Sequence, residues 1–117
     1  MKWRMAAAAA GVATVLASGA VTAMVDSEQV NVFDGTYLSG DTTSYLYGTG
    51  LGSLGAWDNR ISSLKTTTVV GHGFVFWTGP NLTDSSMKIC GPTTRNTMPS
   101  GFNNTISSYD STSSCPQ

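Results

Sequence analysis

From residue 29 onward the apolar positions fall in short clusters: "QVNVFD", "SYLYG", "TTTVV", "GFVFW" and "MKIC". Each cluster is rich in β-branched and aromatic residues, and Gly, Asn, Asp, Pro and Ser separate one from the next. That is the pattern of strands and turns. No stretch keeps apolar residues at i, i+3, i+4 and i+7 for three turns, and the abundance of Ser, Thr and Gly disfavours helix. The pattern predicts an all-β chain. Its strands are too many and too short for anything but a sandwich or a barrel.

A repeat divides this pattern in two. "WDNRISSLKT" contains Asp58-Asn59-Arg60-Ile61-Ser62-Ser63, and "FNNTISSYDS" contains Asn103-Asn104-Thr105-Ile106-Ser107-Ser108. The two six-mers start 45 positions apart (103 − 58). About 25 residues ahead of each stands a second matching pair. "FDGTYLSG", starting at Phe33, aligns with "WTGPNLTD", starting at Trp77, at an offset of 44 (77 − 33). Each of these has an aromatic, a turn-forming segment, Leu five positions on, and Gly or Asp two beyond. The pattern therefore predicts two copies of one unit of about 45 residues. Neither copy is long enough to bury a sheet face alone.

Aromatic-x-x-x-x-aromatic-x-Gly followed by Asn/Asp-Asn/Asp-x-x-Ser/Thr-Ser resembles the Greek-key motif of the βγ-crystallins, and two tandem motifs make one domain in that superfamily. The resemblance covers roughly residues 29 to 112. It places Greek key 1 at about 29–68 and Greek key 2 at about 69–112, within a βγ-crystallin-like domain spanning 24–117. Leu38 and Leu82 depart from it, standing where the family usually has an aromatic, and so does Asp84, standing where the family usually has glycine. An Asp can adopt the positive φ such a hairpin needs, at some cost. The implied architecture is a β-sandwich of two four-stranded Greek keys with approximate two-fold symmetry. Val32, Phe33, Leu46, Ile61, Leu64, Phe76, Leu82, Ile89 and Ile106 are expected to supply much of its core.

A turn lined by Asp, Asn and Ser offers hard oxygen ligands, which suits calcium with its six to eight oxygens. The resemblance implies a double clamp for about two Ca²⁺ ions. Each loop gives most of its ligands to one ion and reaches across to the other with a hydroxyl. Carried onto this chain, Asn59 and Asn104 offer side-chain oxygens, Arg60 and Thr105 backbone carbonyls, and Ser62 and Ser107 the crossing hydroxyls. Asp58 and Asn103 shape the loop or ligate, and Ser63 and Ser108 hold the turn by hydrogen bonds. A further carbonyl comes from each hairpin, near Asp34 and Thr78. The plain alternative is that both six-mers are only turns, since Asn, Asp and Ser bond their own backbone without an ion.

The amino-terminal segment changes the picture again. "MKWRM" is followed by a run of small apolar residues and then by Val21-Thr22-Ala23, the plan of a secretory signal peptide with cleavage after Ala23, or alternatively after Ala20. The run is shorter than the roughly 20 residues a membrane crossing needs. The expected product is a secreted, extracellular domain of 94 residues (117 − 23), with no membrane span. It keeps Arg60, Lys65, Lys88 and Arg95 against seven acidic residues, a balance that does not suit nucleic acid. A lone pair of cysteines in an exported chain predicts one disulfide, Cys90 to Cys115; a metal-binding or catalytic thiol lacks a nearby His.

Other signals carry less. Gly50-x-Gly52-x-x-Gly55 has the form of a dinucleotide fingerprint without its helix or βαβ unit, so it reads as a loop. His72, in "GHG", reads as part of a turn, and Trp57, Phe76, Trp77 and Tyr109 read as core at strand positions. No catalytic motif stands out, so the expectation is not an enzyme but a calcium-binding structural or binding module, a monomer. The alternative is a metalloproteinase inhibitor or killer-toxin-like protein on the same fold, whose partner would be an extracellular protease or cell-surface target. Residues 91–101, "GPTTRNTMPSG", would then be the inhibitory loop. Fold alone does not choose between these.

Overall fold

The computed structural model describes residues 28–116; the expected signal peptide at 1–23 lies outside them. Seven strands follow in order: β1 (Gln29–Phe33), β2 (Thr42–Leu46), β3 (Ser63–Thr66), β4 (Gly73–Gly79), β5 (Thr83–Cys90), β6 (Thr93–Arg95) and β7 (Ser108–Thr112). A single 3₁₀ turn, Gly55–Trp57, is the only helical element among the described residues. Two antiparallel sheets form, ordered β2-β1-β3-β6 and β5-β4-β7.

The halves exchange chain. β6 belongs to the second repeat yet pairs with β3 of the first, Leu64 opposite Arg95. In return, Leu51 of the first repeat bridges Tyr109 in β7. The exchange is unequal, so the expectation of four strands in each sheet is corrected. The returning segment is reduced to one bridge, with the N–H groups of Leu51 and Tyr109 each donating to the other's carbonyl at 3.0 and 3.1 Å. Its glycines let neighbouring side chains approach closely. A Cβ on Gly50 would lie 2.6 Å from Asp110 Oδ1, and one on Gly52 would lie 2.6 Å from Asn81 Oδ1. Glycines on both sides of Leu51 weaken any longer strand there.

The two sheets enclose Val30, Val32, Leu54, Ile61, Leu64, Phe74, Phe76, Ile89, Met98, Ile106 and Tyr109. Phe74, Phe76 and Tyr109 stack around one another with ring centroids 6.0–6.3 Å apart, and Tyr45 adds a contact with Tyr109 at 4.6 Å. Three expected core residues are not in it. β1 turns Val30 and Val32 inward, which leaves Phe33 on the opposite, half-buried side. β2 turns Tyr45 inward, so Leu46 is 52% exposed. Leu82 lies on the hairpin turn and is 38% exposed. Trp57 belongs to the 3₁₀ turn rather than a strand, and Trp77 faces away from the core, half-buried.

The strand expected at "TTTVV" ends at Thr66, and Val69 and Val70 are exposed. His72 closes a turn there, as its spacing suggested, donating its N–H to the Val69 carbonyl at 3.1 Å. Cys90 and Cys115 form a disulfide with Cα atoms 5.7 Å apart. It spans more than a tail, because β6 and β7 both lie inside the loop it closes.

Candidate metal centre

The two hairpins fold over by one shared device. In the first, Ser63 Oγ donates to the Gly35 carbonyl at 2.6 Å and accepts the Leu38 N–H at 3.0 Å. In the second, Ser108 Oγ donates to the Gly79 carbonyl at 2.6 Å and accepts the Leu82 N–H at 3.0 Å. Both serines are wholly buried. Each six-mer is thereby tied by its last residue to its own hairpin, so Ser63 and Ser108 hold the hairpins as well as ending the six-mers. The backbone conformations also repeat. Tyr37 and Leu38 have φ of 56° and 58°, and Asn81 and Leu82 have 56° and 59°. Asp84 takes φ of 74° where Gly40 takes 81°, as the resemblance required of it.

The six-mers themselves meet at the pseudo-two-fold axis. The Asn59 N–H donates to the Ile106 carbonyl, and the Asn104 N–H donates to the Ile61 carbonyl, each at 3.0 Å. Asn59 and Asn104 both stand at positive φ, 62° and 58°, which turns their exposed side chains outward beside the opposite loop. Ile61 and Ile106, two residues on, are fully buried beneath them. Each six-mer is therefore a short arc with apolar anchorage below and polar oxygens above.

Ser62 reaches from the first arc to the second, its Oγ donating to Asn104 Oδ1 at 2.8 Å. These are two of the expected ligands, 42 residues apart in sequence, in direct contact. Ser107 is half-buried, with its N–H on the Trp77 carbonyl at 2.9 Å, matching the Ser62 N–H on the Phe33 carbonyl at 2.8 Å. Asp58 and Asn103 lie on the exposed outer side, where Asp58 Oδ2 accepts from Asn59 Nδ2 at 3.3 Å. Thr105 donates from Oγ1 to the Gly101 carbonyl at 2.8 Å.

The hairpin positions differ between the halves. Thr78 Oγ1 accepts the Ser85 N–H at 3.2 Å, while Asp34 Oδ1 accepts the Asp41 N–H at 2.9 Å. Asp34 then does something Thr78 cannot. Its second oxygen accepts from Arg60 Nη2 at 2.8 Å, and the same nitrogen lies 3.3 Å from Asp41 Oδ2. The Arg60 guanidinium also donates to the Ala56 carbonyl at 3.3 Å and lies 4.4 Å from the Trp57 ring centroid. The Arg60 hydrogen bond holds the Asp34 carboxyl below the ordinary aspartate range, and that bond in turn raises the Arg60 pKa. Sequence reasoning missed Asp41 and Trp57 in this arrangement. The only available signal was their position, one just past the hairpin and the other just ahead of the six-mer.

Among the described residues no three His, Cys, Asp or Glu side chains converge as a metal cluster. A cation at the arcs would meet amide, hydroxyl and carbonyl oxygens, with Asp58 the one carboxylate in either six-mer. That donor set, with no sulfur and no imidazole, fits a hard ion such as calcium and not zinc or copper.

No family model and no curated protein matches the chain. Solved structures do. The chain is similar to a βγ-crystallin from an archaeon, at 19% identity and a TM-score of 0.59 over 73% of this chain and 98% of that one. A βγ-crystallin domain from Clostridium beijerinckii matches at 14% identity and a TM-score of 0.59, over 73% of this chain and 98% of its own. A βγ-crystallin from Ciona intestinalis matches at 15% identity and 0.59, over 70% and 96%. Identity this low speaks for architecture and not for ligand. With paired hairpins, exchanged strands and arcs meeting at a pseudo-two-fold axis, the chain has the βγ-crystallin fold.

Proposed function

We propose that the chain is a βγ-crystallin module, secreted, that binds about two calcium ions and serves a structural or binding role rather than a catalytic one. The observation that carries this reading is the crossing of Ser62 Oγ to Asn104 Oδ1 between arcs already joined by paired backbone hydrogen bonds. Simple turns have no need to place a hydroxyl of one against the amide oxygen of the other. In this reading Asn59, Asn104, Ser62 and Ser107 supply side-chain oxygens, Arg60 and Thr105 their carbonyls, and the hairpins a carbonyl each near Asp34 and Thr78. Asp58 adds the one negative charge. The ion supplies cross-linking, joining two arcs that are otherwise held by a few hydrogen bonds.

So little charge suits the weak, extracellular end of calcium sites, on the order of 10⁻⁴ M. At about 1 mM free calcium that adds roughly 1.4 kcal/mol of stability. Calorimetric titration of residues 24–117 should show binding at about two sites, and the thermal midpoint should rise by a few degrees. Ser62→Ala should weaken binding and also cost the calcium-free fold about 1 kcal/mol, since Ser62 is buried and its hydroxyl loses the bond to Asn104. Absence of both binding heat and a calcium-dependent midpoint at millimolar calcium would leave the six-mers as turns. The inhibitor reading gains no support from residues 91–101, because Thr93–Arg95 is a paired strand and Met98 is buried.

A further inference from the structure

The first arc differs from the second by two charges, the carboxylate of Asp58 and the guanidinium of Arg60, and the guanidinium is placed beside its expected ligands. Arg60 is the residue whose carbonyl is offered to the ion, and its guanidinium rests on the carboxylate of Asp34, the hairpin residue offered to the same loop. Its counterpart Thr105 is neutral, and so is Thr78, the counterpart of Asp34. Four groups hold the guanidinium: Asp34, Asp41, the Ala56 carbonyl and the Trp57 ring. They come from the hairpin, from its far end and from the 3₁₀ turn that leads into the arc. This cation therefore ties the first arc to its own hairpin, one of the joints that a metal ion would make, without reaching the second arc.

We propose that Arg60 is a built-in competitor of the metal ion, holding the first arc and its hairpin in place without the ion and weakening the ion's binding there. The inference rests on the calcium reading above. A positive side chain repels a divalent cation held by its own backbone oxygen, and it neutralises carboxylate charge that would otherwise attract that cation. The same contacts stabilise the empty loop. One side chain thus works in opposite directions on the two states: it supports the calcium-free form and penalises the calcium-bound one. A residue with a purely structural role would support both.

Calorimetric calcium titration and calcium-free thermal melting of four proteins separate these cases: the parent, Arg60→Gln, Arg60→Lys and the double variant Arg60→Gln/Asp34→Asn. Glutamine keeps a donor for the Ala56 carbonyl and removes the charge. Arg60→Gln should bind calcium about threefold to tenfold more tightly at one site, for one charge removed near a divalent ion in a partly hydrated setting. Its calcium-free midpoint should fall. Arg60→Lys, which keeps the charge, should bind close to the parent. The double variant should lose most of the gain, because the carboxylate uncovered by the first change is removed by the second. Equal or weaker calcium binding by Arg60→Gln, in a parent that binds, overturns the inference and leaves the calcium reading standing. No binding by the parent or any variant overturns both.

Discussion

The two repeats are alike in their backbones and different in their charges. Serine for serine, the hairpins fold over through the same pair of hydrogen bonds, and the left-handed residues recur at matching positions. Yet the first repeat closes its hairpin with glycine and an arginine–aspartate pair, and the second closes it with aspartate and threonine. Backbone geometry here is set by space and by buried polar groups, which tolerate little change. Exposed charge is not so constrained, and there the copies have diverged. The difference separates what the fold requires from what a site can vary.

The largest effect expected from this comparison is also the most symmetric. Each buried serine satisfies one carbonyl and one N–H of its hairpin, so Ser63→Ala and Ser108→Ala should each cost about 1–3 kcal/mol. In a domain of this size that lowers the thermal midpoint by several degrees or more. Melting curves of the two variants should nearly coincide. A wide gap between them would mean that the hairpins depend on their serines unequally.

A smaller effect sharpens the asymmetry. A Cβ on Gly40 would collide with Asp34 Oδ1, at a φ of +81°. Gly40→Ala should therefore destabilise by about 1–3 kcal/mol, through left-handed strain plus the disturbed Asp34 carboxylate. Asp84→Gly should move the other way by roughly 0.5–1 kcal/mol, since it relieves the same strain in the second hairpin. Denaturant midpoints measure both, and opposite signs are the expected outcome.

The smallest effect is in acid. Asp34 titrates below its ordinary value near 3.8, chiefly through Arg60, so its pairing contributes stability above that pH and loses it as pH falls through the lowered value. The pair is surface-exposed and its contribution is small and screened by salt. Between pH 5 and 2, the parent should lose slightly more stability than Asp34→Asn, and the difference should shrink in high salt. Thr78 gives the second hairpin no equivalent, so Thr78→Val should leave the acid limb of the curve unchanged in shape.

The turns of this fold were legible in the sequence, while much of its sheet order was not. Asn59, Asn104, Ser63 and Ser108 declare themselves because they act within a few residues of the turns they make, or at a fixed repeat distance. Leu51 and β6 do not, and of β7 only Tyr109 reads as a strand position. Thr93–Arg95 and Ser108–Thr112 are short and rich in Ser and Thr, without the apolar alternation that marks a strand, and their partners are supplied by distant chain. The misassigned core follows from the same limit. In β2 either Tyr45 or Leu46 fits an apolar pattern, and only the register against β1 decides which one faces inward. Arg60 and Asp34 lie 26 residues apart, and their pairing depends on the register of β1 against β3.

The disulfide has a topological consequence. Between Cys90 and Cys115 the chain leaves the second sheet, adds β6 to the first, and returns to the second as β7. One covalent ring thus laces both sheets together. A reduced chain must find both pairings across open loops, whereas an oxidised one starts with that search shortened, by about 3 kcal/mol of unfolded-state entropy for a loop of this length. Cleaving the bond therefore does not free a tail. It loosens the lace between the sheets, so thiol reduction should lower the melting of both sheets together, as one cooperative event rather than as fraying from the carboxyl end.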